Sequence, residues 1–561
     1  MNTIQLSKLV SCVVFQLCCI SLQAQNGRLS LRILDDTGTE TAARVQIKDN
    51  ENNFYIAEDA LIAGGDCDMS DKGAQLTDIE SILKLFNKEI ANPYFNSFQF
   101  YSDGSSSITQ LPETVYIMAF KGSEFIASID TVKLIPDSNT THTIQLSRWT
   151  NMRNRNWYSA DDHLHIPRPI AEMNPHISKI MQAEDIHIGN LLQSGKVKNF
   201  KMAEQYAFGS ESIYEENGYL LAGGQENPRT HILGHTISLG AEKALFNLEK
   251  YMVYRLIWEE SLEYGGLNGF AHAWSDEAAG PSPQVGMAIV LPHDLMHFIE
   301  VLQFNRSDYR SWYDVLNLGF KVTPTAGTDY PCADQSIPGH ERFYTKVDGD
   351  FTFENWLKGI EKGRTFVTTG PVLDFQVNGQ EMGSDLELKV GDSISVSGWV
   401  KFDTTADNLN FIEIIENGRV IKKISRVSTS DSLSFEFLHT VKTSGWLALR
   451  GYGDKIQENL YPFPAHLDIL KATTNFHSAP IYLDIMGQQN PETSATASSW
   501  LQRILDLKRM LEPQNLEFLA EKIMNPWHGV TEDVLLSSKE TLIEDLDYAE
   551  QFFRGLIKGK E

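Results

Sequence analysis

Polar and apolar residues alternate through the first quarter of the chain, at Leu29-Ser30-Leu31-Arg32-Ile33-Leu34, Ala43-Arg44-Val45-Gln46-Ile47, Val115-Tyr116-Ile117-Met118-Ala119-Phe120 and Thr143-Ile144-Gln145-Leu146. A period of two buries one face of a strand, and short strands punctuated by Gly, Asp and Asn predict a β-sandwich over residues 25–150, with a helix inserted at 79–90. Over 151–370 the pattern changes. Apolar runs end near His165, Leu192, Gln225, Leu239, His272, Phe304 and Gly327, with helical stretches such as 241–264 and 308–318 between them. That alternation predicts a closed α/β barrel of about seven strands. Residues 371–487 return to period two, with Asn417-Gly418 as a hairpin turn, and predict a second β-sandwich. A polar linker at 488–498 then leads into an amphipathic helical tail. The expected fold is therefore multidomain, a central barrel flanked by N-terminal and C-terminal sandwiches and followed by helices.

Lys8, the apolar stretch from Leu9 to Leu22 and Gln23-Ala24-Gln25 predict a secretory leader over 1–24. The apolar run is too short to span a membrane stably, and no other segment approaches that length. Phe15-Gln16-Leu17 before Cys18 is a poor lipoprotein box, so a released periplasmic or extracellular protein is favoured over a lipid-anchored one. Only Cys67 and Cys332 follow the leader, too few for a disulfide framework. A formal net charge of -26 without any basic run excludes nucleic acid as a partner.

Asp161-Asp162-His163-Leu164-His165 closes one predicted strand, and residues two apart on a strand share a face, so His163 and His165 outline a metal clamp. The pair alone could be two surface histidines. Its company favours ligation: ten of the fifteen histidines lie between Asp162 and His340, several directly after apolar runs. Ligands gathered from several strand ends are what a barrel site requires. His187 and Tyr330, also near strand ends, are candidate proton donors or wall residues of the substrate site. His293 and His297 lie four apart, in a context that favours packing over a second metal pair.

In order, these motifs resemble the PHP (polymerase and histidinol phosphatase) superfamily, most closely its CehA/McbA branch of metallohydrolases. The likeness rests on Asp161 to His165, Gly223-Gly224-Gln225-Glu226-Asn227-Pro228-Arg229, Gly234-His235, Ala271-His272 and Gly327-Thr328-Asp329. The codas Gly363 to Pro371 and Phe476-His477-Ser478-Ala479-Pro480-Ile481-Tyr482 extend it. The resemblance implies a PHP-like barrel in which His163, His165, Glu226 and Asp329 hold one metal and Glu226, His235 and His272 a second, making Glu226 and Asp329 the expected catalytic residues. Imidazole nitrogen and carboxylate oxygen suit Zn, Mn and Fe alike, so the expected cofactor is one or two divalent transition metal ions. Arg342 matches a family-like arginine segment and is a candidate for an anionic substrate group or a scaffold ion pair. The bland alternatives are a Glu226–Arg229 ion pair and core roles for His235 and His272.

Two departures belong together. Ile186-His187-Ile188-Gly189-Asn190 stands where many members carry T-D-H, and Thr328-Asp329-Tyr330-Pro331 has proline where many carry a histidine. Both absent histidines would serve a third metal. At most two metals are therefore expected, and weight moves from phosphoesters toward ester, amide or carbamate bonds. The expected protein is an exported hydrolase whose metal-activated hydroxide attacks such a bond in a small-molecule or exported-compartment substrate. A metal-dependent phosphoesterase is the near alternative, and a non-catalytic surface or glycan-binding protein with a degenerate barrel is the alternative of another class. Specificity would rest with loops such as 204–218 and 273–283, and the oligomeric state is left open.

Overall fold

The alternating N-terminal segments become strands whose apolar positions are the buried ones. Along Gly27–Leu34, Leu29, Leu31 and Ile33 are buried while Arg28 and Arg32 face solvent. The computed structural model describes residues 27–61, 99–196, 199–230, 232–272, 284–303, 306–307, 309–331, 337–427, 430–456, 473–512 and 532–559. The expected leader, the helix at 79–90, Cys67, Cys332 and the loop 273–283 lie outside the described residues. Gly27–Leu34 pairs with Ser105–Leu111 and Asn139–Gln145, while Ala43–Lys48 pairs with Gln99–Ser102 and Thr114–Phe120 in another sheet. Leu29, Val45, Ile117 and Ile144 from both sheets share one core.

Seven strands then follow one another through pairing, at the seven places where apolar runs end. Trp157–Leu164, Ile188–Lys196 and Tyr219–Thr230 run parallel. Gly234–Leu239 is antiparallel to both Tyr219–Thr230 and Leu267–Phe270, and Phe298–Gln303 and Thr323–Ala326 continue parallel from there. One parallel bridge, Leu164 to Tyr330, returns the circuit to its first strand, where the His165 N–H donates to the Tyr330 carbonyl at 2.6 Å. The helix expected at 241–264 is shorter, Tyr254–Glu263. The preceding loop is instead held by side chains: Gln225 and Asn227 take up both backbone groups of Leu245, an alternative to helical pairing. The helix expected at 308–318 is Arg310–Asn317.

Beyond residue 370, Val372–Val377, Ser393–Lys401 and Ser432–Thr440 form one antiparallel sheet. Phe411–Glu416, Arg419–Ser425, Gly445–Ile456 and Thr473–Ser478 form a second stretch of pairing. At its hairpin, Asn417 and Gly418 both have positive φ, 52° and 84°, as the tight turn demands. Pairing does not stop at residue 370. Thr365–Thr368 bonds both to Arg342–Lys346, the antiparallel neighbour of Trp157–Leu164, and to Thr473–Ser478, so the strand network is continuous across that point.

The helical tail packs on the flank of the seven strands and their helices. Trp500, Ile504, Leu546 and Phe553 enter the same core as Trp258, Trp312 and Phe298. Trp500 Nε1 donates to Asp314 Oδ2 at 3.1 Å, and Arg255 Nε to Asp545 Oδ1 at 2.8 Å. The first tail helix, Thr493–Met510, begins inside the expected linker.

His477, from the second coda, is a packing residue. It is buried against Tyr309, Trp312 and Tyr313, with Nδ1 2.7 Å from the Ser478 carbonyl and Nε2 2.7 Å from the Tyr313 hydroxyl. Nδ1 therefore donates and Nε2 accepts, so the ring is neutral. Burial lowers its pKa to about 3, with Arg450 nearby acting in the same direction against the Ser478 bond. Because the folded value lies below the unfolded one, the unfolded chain takes up the proton first on acidification. Stability from this group is present above pH 6.5 and lost as pH falls toward the folded value. The urea midpoint is expected to fall between pH 6.5 and 4, and His477→Gln is expected to flatten that slope by up to about 1.4 kcal/mol per pH unit. Parallel pH profiles of the two proteins would refute this.

Candidate metal centre

The strand Trp157–Leu164 is buried along its whole length, yet it contains Asp161-Asp162-His163. Polar groups so placed need partners. Asp161 has four: Oδ1 accepts the N–H groups of His163 (3.0 Å) and Thr328 (3.1 Å), and Oδ2 accepts the Thr328 hydroxyl (2.6 Å) and the Gly339 N–H (2.9 Å). Burial nonetheless raises its pKa to about 6. The carboxylate ties the first strand to the turn that carries Asp329.

His163 Nδ1 faces Glu300 Oε2 at 3.3 Å, and His165 Nδ1 lies 2.8 Å from the Leu192 carbonyl. The Leu192 carbonyl places the His165 ring proton on Nδ1, His163 Nδ1 lies between Glu300 and the Gln303 amide nitrogen (3.2 Å), and both Nε2 atoms face the inner side. There the two Nε2 atoms are 3.1 Å apart. His163 Nε2 is 3.9 Å from Glu226 Oε2 and 3.5 Å from Asp329 Oδ1, and His165 Nε2 is 3.2 Å from each. These separations bracket the edge, about 3.4 Å, of a tetrahedron of ligands about 2.0–2.1 Å from a zinc-like ion. His163, His165 and Glu226 bring ligand atoms within 4.8 Å of one another, a donor set that fits a metal, and Asp329 Oδ1 lies beside both imidazoles.

Glu226 is oriented inward by strand alternation, since its neighbours Gln225 and Asn227 spend their side chains on Leu245 on the other face. Its second oxygen, Oε1, meets another group: His235 Nδ1 at 2.6 Å and His272 Nε2 at 3.8 Å. The carboxylate thus belongs to both ligand groups, His163-His165-Glu226 and Glu226-His235-His272. Arg229 Nη1 also approaches Oε2, at 3.3 Å, so the ion pair expected as the bland alternative exists alongside the cluster. Burial works to raise the Glu226 carboxyl, but Arg229, His235 and the facing imidazoles outweigh it and hold it well below the usual carboxylate range. Asp329 is lowered by His163 and His165 in the same way, against its own burial. For His163, burial is outweighed by Glu300 and Asp329, which raise the ring well above its ordinary value. His235 is pushed well below its ordinary value by burial.

Glu300 escaped sequence reasoning. It is fully buried, faces the His163 ring, and accepts the His272 N–H at 2.5 Å, so one carboxylate orients ligands of both groups. A lone acid in Phe298-Ile299-Glu300-Val301-Leu302 was the available signal. Gly327 is required beside it: a Cβ there would lie 2.5 Å from His163 Cβ and 2.6 Å from Glu300 Oε1.

The structure places the three weaker candidates elsewhere. Arg342 donates to the backbone carbonyls of Gly339, Asp185 and Glu184 and is buried, so its guanidinium is spent on the scaffold. His187 precedes the strand Ile188–Lys196 and accepts the Ser159 N–H at 3.2 Å, level with the start of the first strand and away from its ligand-bearing end. Burial lowers it to about 4. Tyr330 packs with Leu164, Ile166 and Met173, and it serves the centre through its carbonyl on His165. His293 ends a short 3-10 turn, Leu291–His293, and His297 directly precedes a strand, so the two do not share a helix face.

No family model and no curated protein matches the chain. Among solved structures, a two-domain protein from Bacteroides vulgatus, described as containing a predicted PHP-like metal-dependent phosphoesterase, aligns with 58% of this chain and 94% of its own at 9% identity and a TM-score of 0.30. The Bacillus anthracis TIE protein aligns with 83% of this chain and 51% of its own at 8% identity and a TM-score of 0.14. Similarity this low carries no argument, and the centre stands on its own geometry.

Metal analysis by mass spectrometry is expected to find about two equivalents of a divalent transition metal in reconstituted wild type, and losses in His163→Ala and Asp329→Ala. Glu300→Gln keeps every direct ligand and is expected to weaken metal affinity roughly 10- to 100-fold. A metal-free wild type, or a Glu300→Gln titration that overlays it, would contradict this arrangement.

Proposed function

We propose that this chain is an exported metal-dependent hydrolase of the PHP type, nearest in motif order to the CehA/McbA branch, acting on an ester-, amide- or carbamate-like bond. The observation that carries the reading is Glu226, whose two oxygens are shared between two histidine-containing groups. The donor set suits one or two ions of Zn, Mn or Fe. When bound, such an ion lowers the pKa of a coordinated water and polarises a carbonyl or phosphoryl oxygen.

The chain itself holds, orients and excludes water. The side chains of His163, His165 and Glu226 are 0%, 1% and 2% exposed, so they act as ligands and cannot meet a substrate broadly. Asp329, His235 and His272, at 20%, 15% and 20%, form the edge at which a substrate arrives. Glu226 and Asp329, both held ionised, bind cations and do not donate protons. Lys8 and the apolar stretch 9–22 support export. A phosphoesterase is the second reading, and the guanidinium of Arg229 beside Glu226 favours it.

Reconstituted protein is expected to hydrolyse members of a panel of chromogenic esters and phosphoesters, to stop on chelation and to recover when metal is restored. Fully loaded protein that turns over no member of the panel, while binding glycans on an array even after chelation, would replace the hydrolase with a binding protein.

A further inference from the structure

We infer that the substrate carries an oxyanion next to the bond that is cleaved, and that Arg229 recognises it. This rests on the hydrolase reading and names its substrate class. Among the described residues, the side chain of Arg229, beside Glu226, is 16% exposed, as the candidate ligands Asp329, His235 and His272 are at 20%, 15% and 20%. In the antiparallel pairing of Tyr219–Thr230 with Gly234–Leu239, Arg229 lies directly opposite His235, so both side chains leave the same face. The guanidinium therefore stands on the same side of the sheet as His235.

Arg229 is also incompletely satisfied. Its Nη1 meets Glu226 Oε2 at 3.3 Å, while its buried Nε has no hydrogen-bond partner. The exposed part of its guanidinium is a planar fork that matches a phosphoryl or carboxylate group, and the Glu226 contact leaves part of that fork uncommitted. The Arg229 N–H donates to the Tyr251 hydroxyl at 3.1 Å, which fixes the backbone from which the side chain projects. Of two other arginines on this part of the fold, Arg342 donates to backbone carbonyls, and Arg168 meets Gln205, Asn174 and the Ser212 carbonyl; its Nη2 also lacks a partner, but the whole side chain is buried and out of reach of a substrate.

The test uses the full mature chain reconstituted with Mn(II), with metal content measured in every sample. Inorganic phosphate is titrated by calorimetry, and activity is compared between 4-nitrophenyl hemisuccinate and 4-nitrophenyl butyrate, with 4-nitrophenyl phosphate as a third substrate. Turnover of the phosphate identifies a phosphoryl oxyanion; preference for the hemisuccinate identifies a carboxylate. Arg229→Gln is expected to weaken phosphate binding, and to lower the anionic-over-neutral ratio of kcat/KM, by roughly 10- to 100-fold, chiefly through KM. Arg229→Lys keeps the charge without the fork and is expected to fall between, and it decides the matter if the glutamine variant does not fold. An unchanged ratio and phosphate affinity overturn the inference. So does equal loss on both esters accompanied by loss of metal, which makes Arg229 a support for Glu226. Wild type that binds phosphate through Arg229 yet hydrolyses nothing keeps this inference and removes the hydrolase reading.

Discussion

The carboxylate of Asp161 accepts four hydrogen bonds where the pairing between the first and last strands of the circuit has thinned to one bridge, Leu164 to Tyr330. Two of the four come from Thr328, the neighbour of Asp329, and one comes from His163 itself. The same group therefore closes the ring and sets the distance between ligands carried by strands about 165 residues apart in sequence, a separation the chain alone does not constrain. A buried carboxylate is expensive unless its lone pairs are met, and here they are met by the groups that must be aligned.

At the other end of the strands the same problem is solved with ion pairs. Arg44 meets Glu184 at 2.6 Å, and Arg148 meets Glu124 and Asp185 at 3.0 and 3.1 Å. Tyr101 and Tyr219 donate to Glu184 and Asp185. These groups join the N-terminal sheets to the segment after helix Asn174–Ala183. Buried pairs of this kind give little net stability but are costly to break singly, so they favour one docking geometry over others. Arg342 belongs to this bed through the carbonyls of Glu184 and Asp185, which is where its guanidinium is spent.

The candidate ligand residues stood out in the sequence because their chemistry is rare in buried strands. Imidazoles and carboxylates at the ends of apolar runs stand out against the composition around them, and alternation places His163 with His165 and turns Glu226 away from Gln225 and Asn227. Elements with a strong period, such as Gly27–Leu34 and the Asn417-Gly418 hairpin, were legible for the same reason. What failed was anything decided by a distant partner. The loop before Tyr254 has helix-compatible composition, but Gln225 and Asn227 capture Leu245 from another strand. His187 and Tyr330 lie near strand ends in sequence, yet one is at the wrong end and the other points its ring into a core.

The sequence by itself determined the order of strands, the residues able to bind a divalent ion, and the absence of basic clusters for nucleic acid. Those properties are local: they follow from period, residue type and charge. Only the tertiary structure decided that Gly234–Leu239 runs antiparallel, that Glu300 stands behind His163 and His272, and that Arg229, not Arg342, pairs with Glu226. Each of these depends on which distant groups share a few ångströms of buried space, where an unpaired charge is too costly to leave and the final partner of every polar atom is fixed by packing.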